Sequence, residues 1–333
     1  MRPFEYARPS TEAEAVAFLN EPEVQSAILA GGTDLMNLLK RDVLQPQRVV
    51  DIKRIESLNG IQSVADGVLI GANVTLDEAL ASGELAQQHA LLQVIDNHRA
   101  IQIQSMGTLI GDLCQWPACW YFRNGYGLLA MQDGASLIEQ GDNRYHAIFG
   151  NSGLAKFVSS SRLAPAMIAS GAKVRVIGPQ PQQEEFIPLE FFFATPKTNE
   201  QGVTILKAGQ LVTHLWLPTV REDVKTASYE VLEMAGLDRP QAAASVWLRM
   251  QSDVVREARI VLGHVAPTPW LAHEAARALV GQKVTDESVT AVADMAVARA
   301  TPLSMNEHKV QMARAAVKRA LLLAVGQLDA SLV

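Results

Sequence analysis

Cysteine is nearly absent: Cys114 and Cys119 are the only two in 333 residues. Two thiols build neither a disulfide framework nor a four-cysteine metal site within one chain. The seven histidines show no H-x-x-H or H-E-x-x-H spacing, so a zinc-dependent mechanism has no support. Long apolar runs are missing too. The longest, such as Ala320 to Val325, cover about six residues, whereas a membrane-spanning helix needs about 20. There is no excess of basic residues; the net charge is −6, which argues against nucleic acid as a partner because phosphate binding needs a basic surface. The opening Met1-Arg2-Pro3-Phe4-Glu5-Tyr6 lacks the charged start and apolar core of a secretory signal. The cytoplasm is therefore the expected compartment, with export through a partner's twin-arginine signal as the alternative.

What is present is ordinary globular material, 48% hydrophobic and 19% charged, long enough for two or three domains. No internal repeat or low-complexity segment interrupts it. Thr11 followed by Glu14 predicts a capping box opening a short helix over Ala13 to Leu19. The apolar run Ser26 to Ala30 reads as a buried strand, Met36 to Leu39 as helix, and Arg48 to Ile52 and Val68 to Ala72 as strands. Ala79 to Ile95 has helical character. Residues 114–155 are rich in Gly, Asn, Asp and aromatics and read as one long loop. Arg162 to Ser170 reads as helix, and Lys173 to Gly178 and Val212 to Pro218 as strands. After a polar link around residue 222 come three alternating segments, Ala227 to Met234, Ala242 to Met250 and Arg256 to Val265. They predict an antiparallel meander. Helices follow over Leu271 to Val280, Glu287 to Ala300 and His308 to Leu328. The fold class is α+β.

Chemistry concentrates in two turns. Ala30-Gly31-Gly32-Thr33-Asp34-Leu35 follows the apolar strand ending at Leu29. Paired glycines let the backbone take φ > 0 and approach a ligand closely. Successive N–H groups in such a turn form a concavity for anions, and a pyrophosphate is its natural guest. The plainer alternative is a tight strand-to-helix turn. The segment is neither a P-loop nor a G-x-G-x-x-G fingerprint. Gly107-Thr108-Leu109-Ile110-Gly111-Asp112 is a second candidate, and two Gly/Thr turns suit a dinucleotide held between two subdomains.

From end to end the chain resembles the FAD-binding subunits of the xanthine dehydrogenase and carbon monoxide dehydrogenase family of molybdenum hydroxylases. The branch of 4-hydroxybenzoyl-CoA reductase and bacterial aldehyde dehydrogenase is the most similar. Phe4-Glu5-Tyr6 to Glu14-Ala15, Ala30 to Leu35, Val49-Val50-Asp51-Ile52, Ile70-Gly71-Ala72 and Gly107-Thr108-Leu109 carry the resemblance. So do Cys119 to Arg123, Gly141 to Ala147, Leu262 to Pro267 and Pro302 to Asn306. It implies a two-subdomain FAD-binding domain over residues 1–222, divided near residue 55. A C-terminal domain over 223–333 would carry a three-stranded antiparallel sheet and helices. It implies FAD held by Leu29, Ala30, Gly31, Gly32, Thr33, Asp34, Leu35, Gly107, Thr108, Gly111, Asp112 and Arg162. The implied partners are a large molybdopterin-binding subunit and a small subunit with 2Fe-2S clusters, so that electrons pass through FAD to an external acceptor. The flavin supplies the chemistry, and no acid–base residue is nominated in this chain.

The sequence departs from the family at named positions. The second motif usually reads Gly-Thr-(Ile/Leu)-Gly-Gly-Asn-Leu, and here Ile110 and Asp112 replace a glycine and the asparagine. A β-branched side chain is costly at φ > 0, and a carboxylate there would repel a pyrophosphate unless it faced ribityl hydroxyls or solvent. The family's Ser-Asp-Leu-Ala-Pro becomes Ser161-Arg162-Leu163-Ala164-Pro165. Arg162 is expected either to bind phosphate or to pair with Asp112. These changes keep a second reading open, a flavin-free structural subunit. Relatives in this branch bind a 4Fe-4S cluster through the segment matching 114–155. Leu128, Ser136 and Ala155 lie near three of those ligand positions, so no such cluster is expected here. The loop is expected to persist as a scaffold with Cys114 and Cys119 as inert thiols. Trp116, Trp120, Tyr121 and Phe122 are expected to pack that loop, with flavin stacking as the alternative for one of them. His146 and His264 read as structural. Asp238 and Pro240 fall in a loop that in relatives lies near the isoalloxazine, with Arg239 in place of an aromatic.

Overall fold

The computed structural model describes residues 1–180, 182–234 and 238–328. Thr11 Oγ1 accepts from the Glu14 N–H at 3.1 Å and starts the helix Glu12–Leu19. The Glu14 carboxylate turns back to Ser10 instead of closing the reciprocal half of the box. Strands Glu5–Ala7 and Ser26–Leu29 flank Arg48–Asp51 in a parallel three-stranded sheet. The short helix Leu35–Lys40 makes the crossover between the last two.

A second, antiparallel sheet has five strands in the order Ile61–Val64, Gly67–Gly71, Leu211–Pro218, Lys173–Ile177, Glu184–Pro188. The last strand of this domain in sequence is therefore the central one in space. The helical stretch expected over Ala79 to Ile95 is broken. A capping box between Thr75 and Glu78 opens Leu76–Ala81, the chain turns at Ser82-Gly83, and His89–Asn97 begins afresh. Ala90, Leu91, Val94 and Ile95 supply its buried stripe, one face of a 3.6-residue period.

The C-terminal unit has the three expected antiparallel strands, Val224–Val231, Ala242–Gln251 and Val254–Gly263, extended by the two-residue strand Trp270–Leu271. The first strand stops at Val231, short of Met234. Helices His273–Leu279, Asp286–Val297 and His308–Ala324 share its core. Ala313, Ala316, Ala320 and Ala324 form a small-residue stripe on the last helix and permit close packing on the strands. Among the described residues, no helix is long and apolar enough to cross a membrane.

The segment 114–155 is more than a surface loop. It holds the short helices Trp120–Arg123 and Leu137–Gln140 and a hairpin of Met131–Gln132 with Ala135–Ser136. It also delivers Ile148 and Phe149 into the C-terminal core, where Phe149 stacks on Trp270 at 4.9 Å between centroids. Full burial of two such side chains contributes about 2–3 kcal/mol each. The buried Lys309 ammonium donates to the carbonyls of Tyr145, His146 and His264 at 3.2, 3.1 and 2.8 Å. Asn143 adds bonds to Ser304 and Met305. Segment and C-terminal domain thus form one packed body.

Candidate functional site

The structure brings the two glycine turns together. Gly31 lies flat on the second turn, and a Cβ there would collide with the Met106 carbonyl. A Cβ on Gly107 would stand 2.7 Å from the Ile103 oxygen and 3.6 Å from the Thr33 hydroxyl. Gly32 takes φ +72°, a conformation that favours glycine. Among the described residues, the N–H groups of Gly31, Gly32, Thr33 and Asp34 donate to no protein acceptor, and neither do those of Thr108 and Ile110. Unpaired backbone donors this close together require a ligand or water. Leu29 ends the strand that carries the first turn, Ala30 follows it, and Leu35 opens the helix behind it. Gly111 serves the scaffold, because its N–H caps onto Thr108 Oγ1 at 3.0 Å.

The charges beside the turns are balanced in pairs. The Asp34 carboxylate would repel phosphate, but Arg123 pairs with it at 2.7 Å and also donates to the carbonyls of Pro117 and Trp116. Asp34 further accepts from the Trp116 N–H at 3.2 Å, so the first turn is tied to the 114–155 segment. Lys53 lies on the other side. Its ammonium pairs with Asp51 at 2.7 Å and reaches the Ala30 carbonyl at 3.3 Å. Lys53 lies outside every motif, and Arg123, though inside the Cys119 to Arg123 stretch, carried no site role there, since each gains its role through a fold contact.

Three sequence expectations require correction. Ile110 does not sit at positive φ; Thr108 caps the helix Leu109–Leu113, and the Ile110 side chain enters the core at 5% exposure. Strain and obstruction are absent, and only its N–H faces the turn side. Asp112 does not pair with the Arg162 guanidinium. Its carboxylate points inward and accepts from the Ser161 hydroxyl, the Gln115 amide and the N–H groups of Arg162 and Leu163. With both oxygens turned onto protein donors, the carboxylate is held away from the turn surface. Burial pushes this carboxyl above the usual carboxylate range, and the Ser161 and backbone bonds oppose that.

Arg162 instead forms a two-point ion pair with Glu230 on the C-terminal domain, at 2.9 and 2.6 Å. Both side chains are almost wholly buried, at 5% and 2% exposure. Parallel charge-assisted bonds of this kind are the strong geometry for Arg and carboxylate. The pair joins the two domains directly behind the second turn.

The remaining singled-out residues pack among themselves. Trp116 stacks on Phe122 at 5.6 Å, and Trp120 meets Tyr145 and His146 edge-on. Burial pushes the Cys114 thiol up to about 12 and raises Cys119 as well, so neither is a ready thiolate. Cys119 Sγ lies 3.2 Å from His146 Nε2. Among the described residues, no cluster of three or more His, Cys, Asp or Glu side chains is placed to hold a metal ion. Arg239 reaches from the C-terminal domain to the Ser160 carbonyl at 3.2 Å and Gln115 Oε1 at 3.1 Å.

Burial pushes His98 and His146 down to about 4, and His264 well below its ordinary value. All three are then neutral when folded, while the unfolded chain binds protons from about pH 6.5 downward. Stability present above pH 6.5 should therefore be lost as the pH falls, and for His146 the loss runs towards pH 4 and reaches up to about 3 kcal/mol. Thermal unfolding at pH 7.5 and 5.0 checks this. His146→Asn should flatten the pH slope, and an unchanged slope would refute the assignment for that residue.

Comparison with known proteins shows the family. Residues 2–220 match the FAD binding domain in molybdopterin dehydrogenase, and residues 227–324 match the CO dehydrogenase flavoprotein C-terminal domain. The carbon monoxide dehydrogenase medium chain of Hydrogenophaga pseudoflava is 28% identical over 325 residues, covering 96% of each chain. The aldehyde oxidoreductase FAD-binding subunit of Escherichia coli (strain K12) is 28% identical over 336 residues, covering 94% of this chain and 96% of its own. A solved structure of carbon monoxide dehydrogenase from Hydrogenophaga pseudoflava superimposes with a TM-score of 0.77 at 26% identity, over 99% of this chain and 100% of that one. The chain belongs to the family of FAD-binding flavoprotein subunits of molybdenum hydroxylases, oxidoreductases built from several subunits.

Proposed function

We propose that the FAD diphosphate lies across Gly31 to Asp34 and Gly107 to Ile110, held by backbone N–H groups, with the Thr33 hydroxyl and Lys53 beside it. Four adjacent unpaired N–H groups packed against a second glycine turn support this placement most directly. When bound, the flavin supplies two-electron redox chemistry, and this chain's residues position it. Asp112 and Arg162 act from behind the cradle, fixing the second turn and joining the domains across a boundary near residue 222. Ile110, Asp112 and Arg162, together with the expected loss of the 4Fe-4S cluster, motivated the flavin-free reading. The three side chains turn away from the cradle, which removes their part of that motive.

In this reading the chain is the middle subunit of a three-part complex in the cytoplasm. Iron–sulfur clusters on a small subunit deliver electrons from a molybdopterin-binding large subunit, and an external acceptor takes them from the flavin. The relatives' designation as medium chains and FAD-binding subunits supports that arrangement. The purified full chain should show flavin absorption and release about one FAD per chain on denaturation. A protein that stays colourless after incubation with FAD would overturn the proposal.

A further inference from the structure

We propose that Arg8 and Arg54 supply the countercharge for a nucleotide's phosphates, so that the sheet edge they occupy takes an adenosine diphosphate group. The inference rests on the diphosphate placement above and assigns a task to residues outside both turns.

The three-stranded sheet is parallel, so the carboxyl ends of its strands share one edge. Ala7 lies in register with Val50, and Val50 with Ile28. Arg8 follows the strand ending at Ala7, Lys53 and Arg54 follow the strand ending at Asp51, and the first glycine turn follows the strand ending at Leu29. All are therefore delivered to the same edge, the side on which sheets of parallel strands bind ligands. Tyr6 and Asp51 tie the group together. The Tyr6 hydroxyl donates to the buried Asp51 carboxylate, and Lys53 pairs with the same carboxylate at 2.7 Å. The Arg8 guanidinium lies 6.0 Å from the Tyr6 ring centre, and the charges of Arg8 and Arg54 both act on the Tyr6 hydroxyl.

Charge balance distinguishes the two arginines. Near the first turn, Asp34 is matched by Arg123 and Asp51 by Lys53. The N–H groups of the turns carry no net charge. A diphosphate therefore brings two negative charges into surroundings that are otherwise neutral. Arg8 and Arg54 are exposed, and among the described residues neither enters an ion pair. General basicity does not account for them, since the chain's net charge is −6. Guanidinium groups match phosphate oxygens in geometry as well as charge. Tyr6 adds a second feature. It is 49% exposed although its hydroxyl is anchored, so a flat ring is held open beside the two cations and suits a purine. FMN has a single phosphate and no adenosine, and would engage the turns without the edge. The edge thus selects a dinucleotide over a mononucleotide.

The test titrates the full-length apoprotein with ADP, FAD and FMN at low ionic strength. ADP should bind and compete with FAD. The double substitution Arg8→Gln with Arg54→Gln should weaken ADP and FAD by about tenfold or more and leave FMN unchanged. That loss should shrink in about 1 M salt, where charges are screened beyond about 3 Å. Arg8→Lys with Arg54→Lys should recover most of the affinity. ADP that binds the FAD-loaded chain without displacing FAD would support the site and identify its ligand as a separate nucleotide. Parent-like affinities for ADP and FAD in the glutamine variant would overturn the inference, as would an equal loss for FMN, which would mark only a diffuse surface field. A parent chain that binds FAD but not ADP would overturn it and leave the flavin placement standing. Binding of ADP without FAD would do the reverse.

Discussion

Replacing Gly31 with alanine should cost the chain its flavin. The new methyl group meets the Met106 carbonyl, a backbone atom that no rotamer change can remove. The second turn must withdraw, separating the N–H groups of Gly31 to Asp34 from those of Thr108 and Ile110. We expect FAD affinity to fall at least 100-fold, about 2.7 kcal/mol. Overpacking should lower chain stability by about 1–3 kcal/mol as well. Gly83→Ala is the matched control, since a Cβ there meets nothing within 4 Å. Fluorescence titration of apoprotein with FAD checks both. Wild-type affinity in Gly31→Ala would show that the two turns do not act as one cradle.

The second large effect is expected at the domain junction. Glu230→Ala leaves the Arg162 guanidinium buried and unpaired, which typically costs about 3–5 kcal/mol. For a chain of this size that is a fall in melting temperature of roughly 10 °C. The double substitution Arg162→Met with Glu230→Leu removes both charges and fills the space, and should recover most of the loss. Because neither side chain faces the cradle, the double variant should still bind FAD. A double variant as unstable as Glu230→Ala would mean that the junction depends on this ion pair itself.

The sequence made the first turn legible because its signal is local: an apolar strand, two glycines and a Thr-Asp before a helix. The meander and the helices after it were legible for the same reason, through their two- and 3.6-residue periods. Ends of elements shifted by a few residues where capping decides, as at Thr11 and Thr108. What stayed hidden is long-range. Arg123 meets Asp34 across 89 residues of sequence, and Glu230 meets Arg162 across 68. No spacing rule marks such partners. Asp112 and Ile110 were misplaced because their motif positions implied a turn, whereas the Thr108 cap winds them into a helix. The segment 114–155 looked like a surface excursion because its buried residues, among them Phe122, Leu128, Leu129, Ile138, Ile148 and Phe149, are spread over short elements and show no sustained period.

The abutment of Gly31 on the second turn also bears on assembly. The first turn follows a strand of the three-stranded sheet and the second opens the helix Leu109–Leu113, so the diphosphate cradle exists only while the two stay packed together. Loading of cofactor and closure of the joint are then a single equilibrium governed by mass action. At free FAD 100-fold above the dissociation constant, the docked form gains about 2.7 kcal/mol over chains that bind no FAD. A newly made chain in a flavin-poor cell would spend more time open and exposed to proteases. Supply of the cofactor would thereby set how many copies survive to join their partners.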